Sequence, residues 1–143
     1  MIRPSSASLP LRVAAVLAGG VLGGFVRYLA TVVTVASDSR RNFTHLWTAV
    51  DLRLLAVNSI GVFFASWALL GPLSSRTPDD PWRLFWTTGV LGGLTTYSSL
   101  ILDVGVLWRT QPAGAVLEMA VSLFVGLGAA LVGCAVARAG SRP

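Results

Sequence analysis

The sequence predicts an all-α integral membrane protein with four transmembrane helices. Of its 143 residues, 54% are hydrophobic and only 12% are charged, and the mean hydropathy is +0.72. A small water-soluble domain does not carry such a composition. The apolar residues fall into four runs of roughly 20, the length that crosses about 30 Å of hydrocarbon as a helix. Because irregular backbone is not tolerated against lipid, each run is predicted to be helical.

The predicted spans cover residues 11–35, 54–70, 84–107 and 113–137, within one transmembrane domain over residues 1–143. Four spans place both termini on the same side of the membrane. Arg3 and Arg12 precede the first run, as in a cleaved signal peptide. The run nevertheless continues directly into Arg27 and Tyr28, and three more spans follow, so we interpret it as a span.

The net charge of +5 comes from eleven arginines that are scattered over loops and tails, which argues against a nucleic-acid partner. Arginines that flank spans usually mark topology. The two sides carry similar numbers, six with the termini and four opposite: Arg3, Arg12, Arg76, Arg83, Arg138 and Arg142 against Arg40, Arg41, Arg53 and Arg109. Such a small difference barely selects an orientation, so insertion both ways round is compatible with the sequence.

Catalytic chemistry is not indicated by the sequence. His45 is the only histidine and lies in a predicted loop, and Cys134 is the only cysteine and lies in the fourth span. Neither belongs to a nucleophile–base constellation or to metal-ligand spacing. We therefore predict that the protein is not an enzyme.

Small residues recur four positions apart, the spacing that lets membrane helices approach closely. The pairs are Gly19 and Gly23, Gly20 and Gly24, Gly89 and Gly93, and Ser122 and Gly126. They predict a tightly packed bundle. Because four helices enclose little interior, we expect some of these faces to belong to a dimer.

Polar residues within spans tend to face a partner or a watery cavity. Arg27 either does so or extends along its span to reach the interface. Asp103 and Glu118 lie near span ends, where we expect partial hydration and favour a structural role. Asn58, in LLAVNSIGVFF, either pins one helix to another or donates to a passing anion, and the sequence favours the first role.

The third span contains the segment GGLTTYSS at residues 92–99, where the helix is predicted to break at mid-span. Glycine costs roughly 1 kcal/mol against alanine in a helix, and Ser and Thr hydroxyls compete for backbone hydrogen bonds. Carbonyls freed at a break suit a cation, whereas hydroxyl protons and aromatic ring edges suit an anion. The break is therefore predicted to be an ion site.

Three runs resemble the signature stretches of the Fluc/CrcB family of fluoride channels: GGVLGGFVRY (19–28), VNSIGVFF (57–64) and GVLGGLTTYSSL (89–100). The resemblance covers essentially the whole chain and implies a multi-pass channel of the inner (plasma) membrane. It implies an antiparallel, dual-topology dimer with two fluoride pores and a central sodium ion that is structural and is not transported. Such a channel would export fluoride and confer fluoride resistance.

The resemblance also implies roles for individual residues. The backbone carbonyls of Gly92 and Thr95 would hold the sodium ion, and the Asn58 amide would donate to fluoride. Arg27 would lie near a vestibule, and Asp103 matches a position that is often acidic. The remaining residues of the implied fluoride path are Tyr97, Ser98, Ser99 and Ser122.

Three departures from the family pattern leave an alternative open. Tyr97 and Leu100 stand where two Phe side chains are typical, Glu118 replaces a Tyr, and Arg53 with Leu54 replaces a Gly-Thr pair. The chain could therefore be the pore-degenerate subunit of a heterodimer rather than a homodimeric channel. A four-helix multidrug transporter is less favoured, because the first span contains no acidic residue for proton coupling.

Overall fold

The structure is a computed structural model that describes residues 7–35 and 50–140. Five residues named above for topology or catalysis lie outside the described residues: Arg3, Arg40, Arg41, His45 and Arg142.

The described part of the chain is mostly helical. Its elements are α1 (Leu9–Val35), α2 (Leu52–Leu70), α3 (Pro81–Leu84), a π-helix (Phe85–Leu91), α4 (Gly92–Leu94), α5 (Tyr97–Thr110) and α6 (Pro112–Gly140). The elements from α3 to α5 run consecutively and form the third span.

Four stretches are long and apolar enough to cross a membrane, namely Leu9–Ala30, Leu52–Leu70, Pro81–Thr110 and Pro112–Gly140. The prediction of an all-α protein with four spans and a broken third helix is confirmed. Most helix ends lie one to three residues beyond the predicted limits. The fourth stretch, for example, reaches Gly140 instead of residue 137.

Aspartates start two of the helices. Asp51 Oδ1 accepts from the backbone N–H groups of Arg53 at 2.9 Å and of Leu54 at 3.3 Å, which caps α2. Asp80 Oδ1 accepts likewise from Trp82 at 2.9 Å and Arg83 at 3.1 Å, which caps α3. These bonds satisfy N–H groups that have no partner within the helix.

Glycines hold α1 against the first half of the third span. A Cβ atom added at Gly89 would lie 2.8 Å from the Cα of Gly19, and one at Gly93 would lie 2.6 Å from the Gly20 carbonyl oxygen. Side chains larger than hydrogen would therefore separate the two backbones. The other half of the bundle is formed by α6, which packs against α2 and α5.

The glycine faces divide into two groups. Gly19, Gly23, Gly89 and Gly93 meet inside the chain, so these pairs serve its own packing rather than a dimer contact. In contrast, a Cβ at Gly20, Gly24 or Gly126 would meet no described atom within 4 Å. Only this second group remains available to a partner helix.

Candidate functional site

The break in the third span falls at Thr95 and Thr96. Both residues have extended backbone, with φ −78° and ψ 152° at Thr95 and φ −147° and ψ 120° at Thr96. Gly92, which we expected to loosen the helix, keeps helical dihedrals of −66° and −36°. The break therefore belongs to the threonines, whose β-branched side chains favour extended backbone.

Asn58 on α2 fixes the break in place. Its Nδ2 donates to the Thr96 carbonyl at 3.0 Å, and its Oδ1 accepts from the Thr96 N–H at 2.8 Å. Both backbone polar groups of one residue in the break are thus satisfied by a single side chain. The second N–H of the amide has no acceptor among the described residues and is available as a donor.

Three hydroxyl groups meet where α5 begins. Thr96 Oγ1 lies 3.1 Å from the Oγ of Ser98 and 3.1 Å from the Oγ of Ser99, and it accepts the Ser99 N–H at 3.3 Å. Thr96 is 8% exposed, whereas Ser98 and Ser99 are exposed. These hydroxyls stand at the positive end of the α5 dipole, an arrangement that favours anions.

The same break frees backbone carbonyls. In a continuous helix the Thr96 N–H would donate to the Gly92 carbonyl, but here it donates to Asn58. Because the described peptide bonds are trans, the Thr95 carbonyl points away from the Thr96 N–H and hence away from Asn58. Gly92 is exposed. The Gly92 and Thr95 carbonyls have thus each lost the helical donor four residues on, since the Ser99 N–H donates to Thr96 Oγ1.

Gly61 makes room for this geometry. The Thr95 methyl group occupies the position where a Cβ of residue 61 would be, so a side chain there would displace Thr95. The Thr95 hydroxyl donates to the Leu91 carbonyl at 2.9 Å, which holds its rotamer. Thr95 is thus fixed from the α2 side and from its own helix.

A cavity of about 390 Å³ reaches the break, and polar and charged side chains supply much of its wall. Its lining residues are Arg27, Ala30, Asp51, Arg53, Leu54, Val57, Thr96, Ser99 and Asp103. We call this space the vestibule. Arg27 and Asp103 thus line the same cavity as Thr96 and Ser99, two of the three hydroxyl residues at the break.

Sequence reasoning did not select three of these residues: Thr96, Asp51 and Arg53. Thr96 joins the Asn58 contact to the hydroxyl cluster, a relationship between residues 38 positions apart that no local pattern reveals. Asp51 could have been found as a capping residue, because an aspartate directly before an apolar run is a helix-start signal.

Glu118 differs from the sequence expectation of partial hydration. It is only 1% exposed, and its Oε1 accepts the backbone N–H of Asp51 at 3.4 Å. This contact ties α6 to the start of α2, and Glu118 does not line the vestibule. The side chain is buried because the segment around Val50 and Asp51 packs over it.

The two positions where the family pattern has Phe point in different directions. Tyr97 is 72% exposed, so its ring and hydroxyl extend outward from the chain, whereas Leu100 is 9% exposed and packs inside it. Ser122 lies half-buried on α6 and makes no hydrogen bond to the break hydroxyls in the described part of the chain. The break and the vestibule therefore bring together Asn58, Thr96, Ser98 and Ser99, but not Ser122.

Metal ligation by side chains finds no support in residues 7–35 and 50–140. These ranges hold no group of three or more His, Cys, Asp or Glu residues that could bind an ion. Any cation at the break would therefore depend on carbonyl oxygens.

Comparison with known proteins agrees with the four-span plan. Residues 14–134 match the family described as "CrcB-like protein, Camphor Resistance (CrcB)". Three relatives are named as fluoride-specific ion channels. The protein of Leifsonia xyli subsp. xyli is 35% identical over 131 residues, covering 87% of this chain and 81% of the relative. The protein of Agrobacterium fabrum is also 35% identical over 131 residues, covering 90% and 97%. The protein of Erythrobacter litoralis is 32% identical over 124 residues, covering 84% and 87%. With its four apolar helices and a match over most of its length, the chain belongs to the CrcB family and is a multi-pass membrane protein.

Proposed function

We propose that this protein is a fluoride channel that lets cytoplasmic fluoride leave the cell through the inner (plasma) membrane. The observation that carries the proposal is the contact between Asn58 and Thr96. It holds Thr96 in place, whose hydroxyl lies 3.1 Å from that of Ser99, and both of these residues line the vestibule at the start of α5. The names of the relatives support fluoride as the ion.

The chemistry of this wall suits the passage of a small anion. The amide and the hydroxyls donate hydrogen bonds without a full positive charge, so they replace water around fluoride and do not trap it. The exposed Tyr97 adds a hydroxyl and a ring edge farther along, with Ser98 beside it. Because the membrane potential drives an anion outward, passive conduction is sufficient for export.

The working unit in this proposal is an antiparallel dimer. Gly20, Gly24 and Gly126 leave open surface on α1 and α6, where a second chain can approach closely. The small difference in arginine number between the two sides permits both orientations in the bilayer. A pore formed between two copies would use the exposed hydroxyls and Tyr97, which face away from their own chain.

A sodium ion fits the break of this dimer as a structural cofactor. Gly92 and Thr95 would hold it through their carbonyl oxygens, one pair from each chain, because the break frees both groups. The ion would neutralise carbonyl dipoles that face each other across the dimer and would fix the position of the threonines. It is not part of the transported current.

The geometry favours a self-sufficient homodimer over a pore-degenerate subunit. Glu118 is 1% exposed within its own chain, so its carboxylate cannot line a pore that forms on the surface between two chains. Leu100, at 9% exposure, offers little surface to such a pore. Two of the departures from the family pattern thus lie in the packing of the chain rather than on an ion path.

Fluoride efflux from liposomes that contain the purified protein tests the function. We expect the protein alone to release fluoride when a potential is applied, and chloride release to be far slower. Release that requires a paralogous chain would support the heterodimer instead. The absence of fluoride flux both alone and with a paralogue would overturn the channel function, and proton-coupled drug transport would support the transporter class.

The sodium proposal is tested by replacing sodium with N-methylglucamine during purification and assay. We expect the midpoint of thermal unfolding to fall and the dimer to dissociate more readily, and we expect addition of sodium to reverse both effects. Equal stability and equal flux in the two media would exclude a structural sodium ion.

A further inference from the structure

Arg53 stands on the vestibule wall in the first turn of α2. Its Nε lies 3.7 Å from Asp51 Oδ1, and the guanidinium borders the same cavity as Arg27. The family pattern that the second run resembles typically has a Gly-Thr pair where this chain has Arg53 and Leu54. A large cationic side chain thus replaces a residue without a side chain.

Capping of α2 does not require the Arg53 side chain. Asp51 performs that function through two backbone N–H groups, at 2.9 Å and 3.3 Å. The contact between the two side chains is longer than either of these bonds and joins Asp51 to the edge of the guanidinium at Nε. Formation of α2 therefore does not explain why a guanidinium group lines the vestibule at this position.

The formal charge of the side chains that line the vestibule explains the presence of Arg53. Among the described residues, the lining contains two guanidinium groups, Arg27 and Arg53, and two carboxylates, Asp51 and Asp103. The formal sum is zero. Without Arg53 the sum would be −1, and a negative entrance repels an anion before it reaches the hydroxyl cluster.

We infer that Arg53 keeps the vestibule from repelling anions and thereby raises the rate at which fluoride enters the path. It acts by balancing the carboxylates of Asp51 and Asp103, not by binding fluoride at a fixed site. The inference rests on the proposed fluoride conduction and adds the residue that determines entry. It predicts a flux that depends on the charge at residue 53 and on ionic strength.

The test is a charge series at position 53, measured as fluoride efflux from proteoliposomes at two salt concentrations. We expect Arg53→Lys to keep most of the flux. Arg53→Gln should lower it about three- to tenfold at ~10 mM salt, where charges interact over about 30 Å. Arg53→Glu should lower it further. At ~1 M salt, where the screening length is about 3 Å, we expect differences below about twofold.

Two further variants separate charge from structure. Arg109→Gln removes an exposed arginine near the same end of the bundle that does not line the vestibule, and we expect it to lower the flux at ~10 mM salt much less than Arg53→Gln does. The double variant Arg53→Gln with Asp103→Asn restores the formal balance, and we expect it to recover much of the flux that Arg53→Gln loses. Size-exclusion profiles and helical content should match those of the unmodified protein throughout.

The possible outcomes separate failure of the role of Arg53 from failure of the proposed fluoride conduction. If the unmodified protein conducts and Arg53→Gln conducts equally at low salt, the role of Arg53 is excluded while the channel stands. A loss that is equal at both salt concentrations, or that Arg109→Gln reproduces, would likewise exclude it. If the unmodified protein passes no fluoride at either salt concentration, the proposed function fails and the inference fails with it.

Discussion

The side-chain amide of Asn58 binds both backbone polar groups of Thr96, through bonds of 3.0 Å to the carbonyl and 2.8 Å to the N–H. One residue of α2 therefore replaces the helical hydrogen bonds that the third span gives up at its break. The amide thus pins α2 to the third span, which is the first of the two roles considered for Asn58, and donation of its second N–H to an anion stays a prediction.

The substitution Asn58→Asp should abolish conduction. It replaces the donor to the Thr96 carbonyl with a carboxylate oxygen and adds a negative charge beside the path. A like charge at ~4 Å costs an anion about 4 kcal/mol at an effective dielectric constant near 20, so we expect flux to fall at least about 100-fold. Liposome efflux measures the effect, and unchanged flux would remove Asn58 from the ion path.

Ser59→Ala is the matched control for that substitution. The Ser59 hydroxyl is buried and has no hydrogen-bond partner among the described residues. Its removal therefore deletes no bond, and we expect flux within about twofold of the unmodified protein and equal or slightly higher stability.

Glu118→Gln should leave conduction within about twofold, because the amide oxygen can still accept the Asp51 N–H and the side chain stays buried. Glu118→Ala should lower the free energy of unfolding by about 1–3 kcal/mol, since it leaves a buried N–H without that acceptor. Efflux and thermal unfolding of both variants test this. A large gain of flux in Glu118→Gln would show instead that the carboxylate obstructs the pore.

Gly19→Ala should destabilise the bundle by about 1–3 kcal/mol, because the added methyl group would enter the backbone of the third span near Phe85 and Gly89. Gly24→Ala places the same group on the same helix, but its Cβ meets no described atom within 4 Å. We expect Gly24→Ala to keep the fold of the single chain and to act, if at all, on dimer association. Equal unfolding midpoints for the two variants would contradict the observed packing of α1.

Asp80 should make stability depend on acid pH. Burial raises the pKa of its carboxyl, but the Arg83 N–H, the Arg76 guanidinium and the Trp82 N–H together outweigh burial, so the pKa lies below its usual value. A lowered pKa means that the ionised carboxylate stabilises the folded state above about pH 4 and loses this effect as pH falls through the folded pKa.

The measurement compares Asp80→Ala with the unmodified protein by thermal unfolding at several pH values. Loss of the cap should cost about 1 kcal/mol at pH 7 and progressively less at acid pH, as the native carboxyl becomes protonated. Asp80→Asn keeps a capping oxygen and should lose less at pH 7. A cost for Asp80→Ala that stays constant from pH 7 to pH 3 would show that the charge of Asp80 has no role.

The sequence by itself determined the four helices, the break in the third and the membership of a channel family. These features are local: a run of about 20 apolar residues must be a helix in lipid, and hydroxyl residues after two glycines weaken it. The predicted break covered residues 92–99, and within that segment Thr95 and Thr96 carry the extended backbone while Gly92 stays helical.

Only the tertiary structure decided which groups share a site. Asn58 meets Thr96 across 38 positions, and Glu118 reaches Asp51 across 67, distances over which no periodic pattern carries information. The packing of α6 on α2 buries Glu118, and the meeting of α1, α2 and α5 makes the vestibule that Arg53 shares with two aspartates. Hydropathy specifies that helices insert and pack, but the side chains at their contacts determine where polar groups become paired, buried or accessible to an ion.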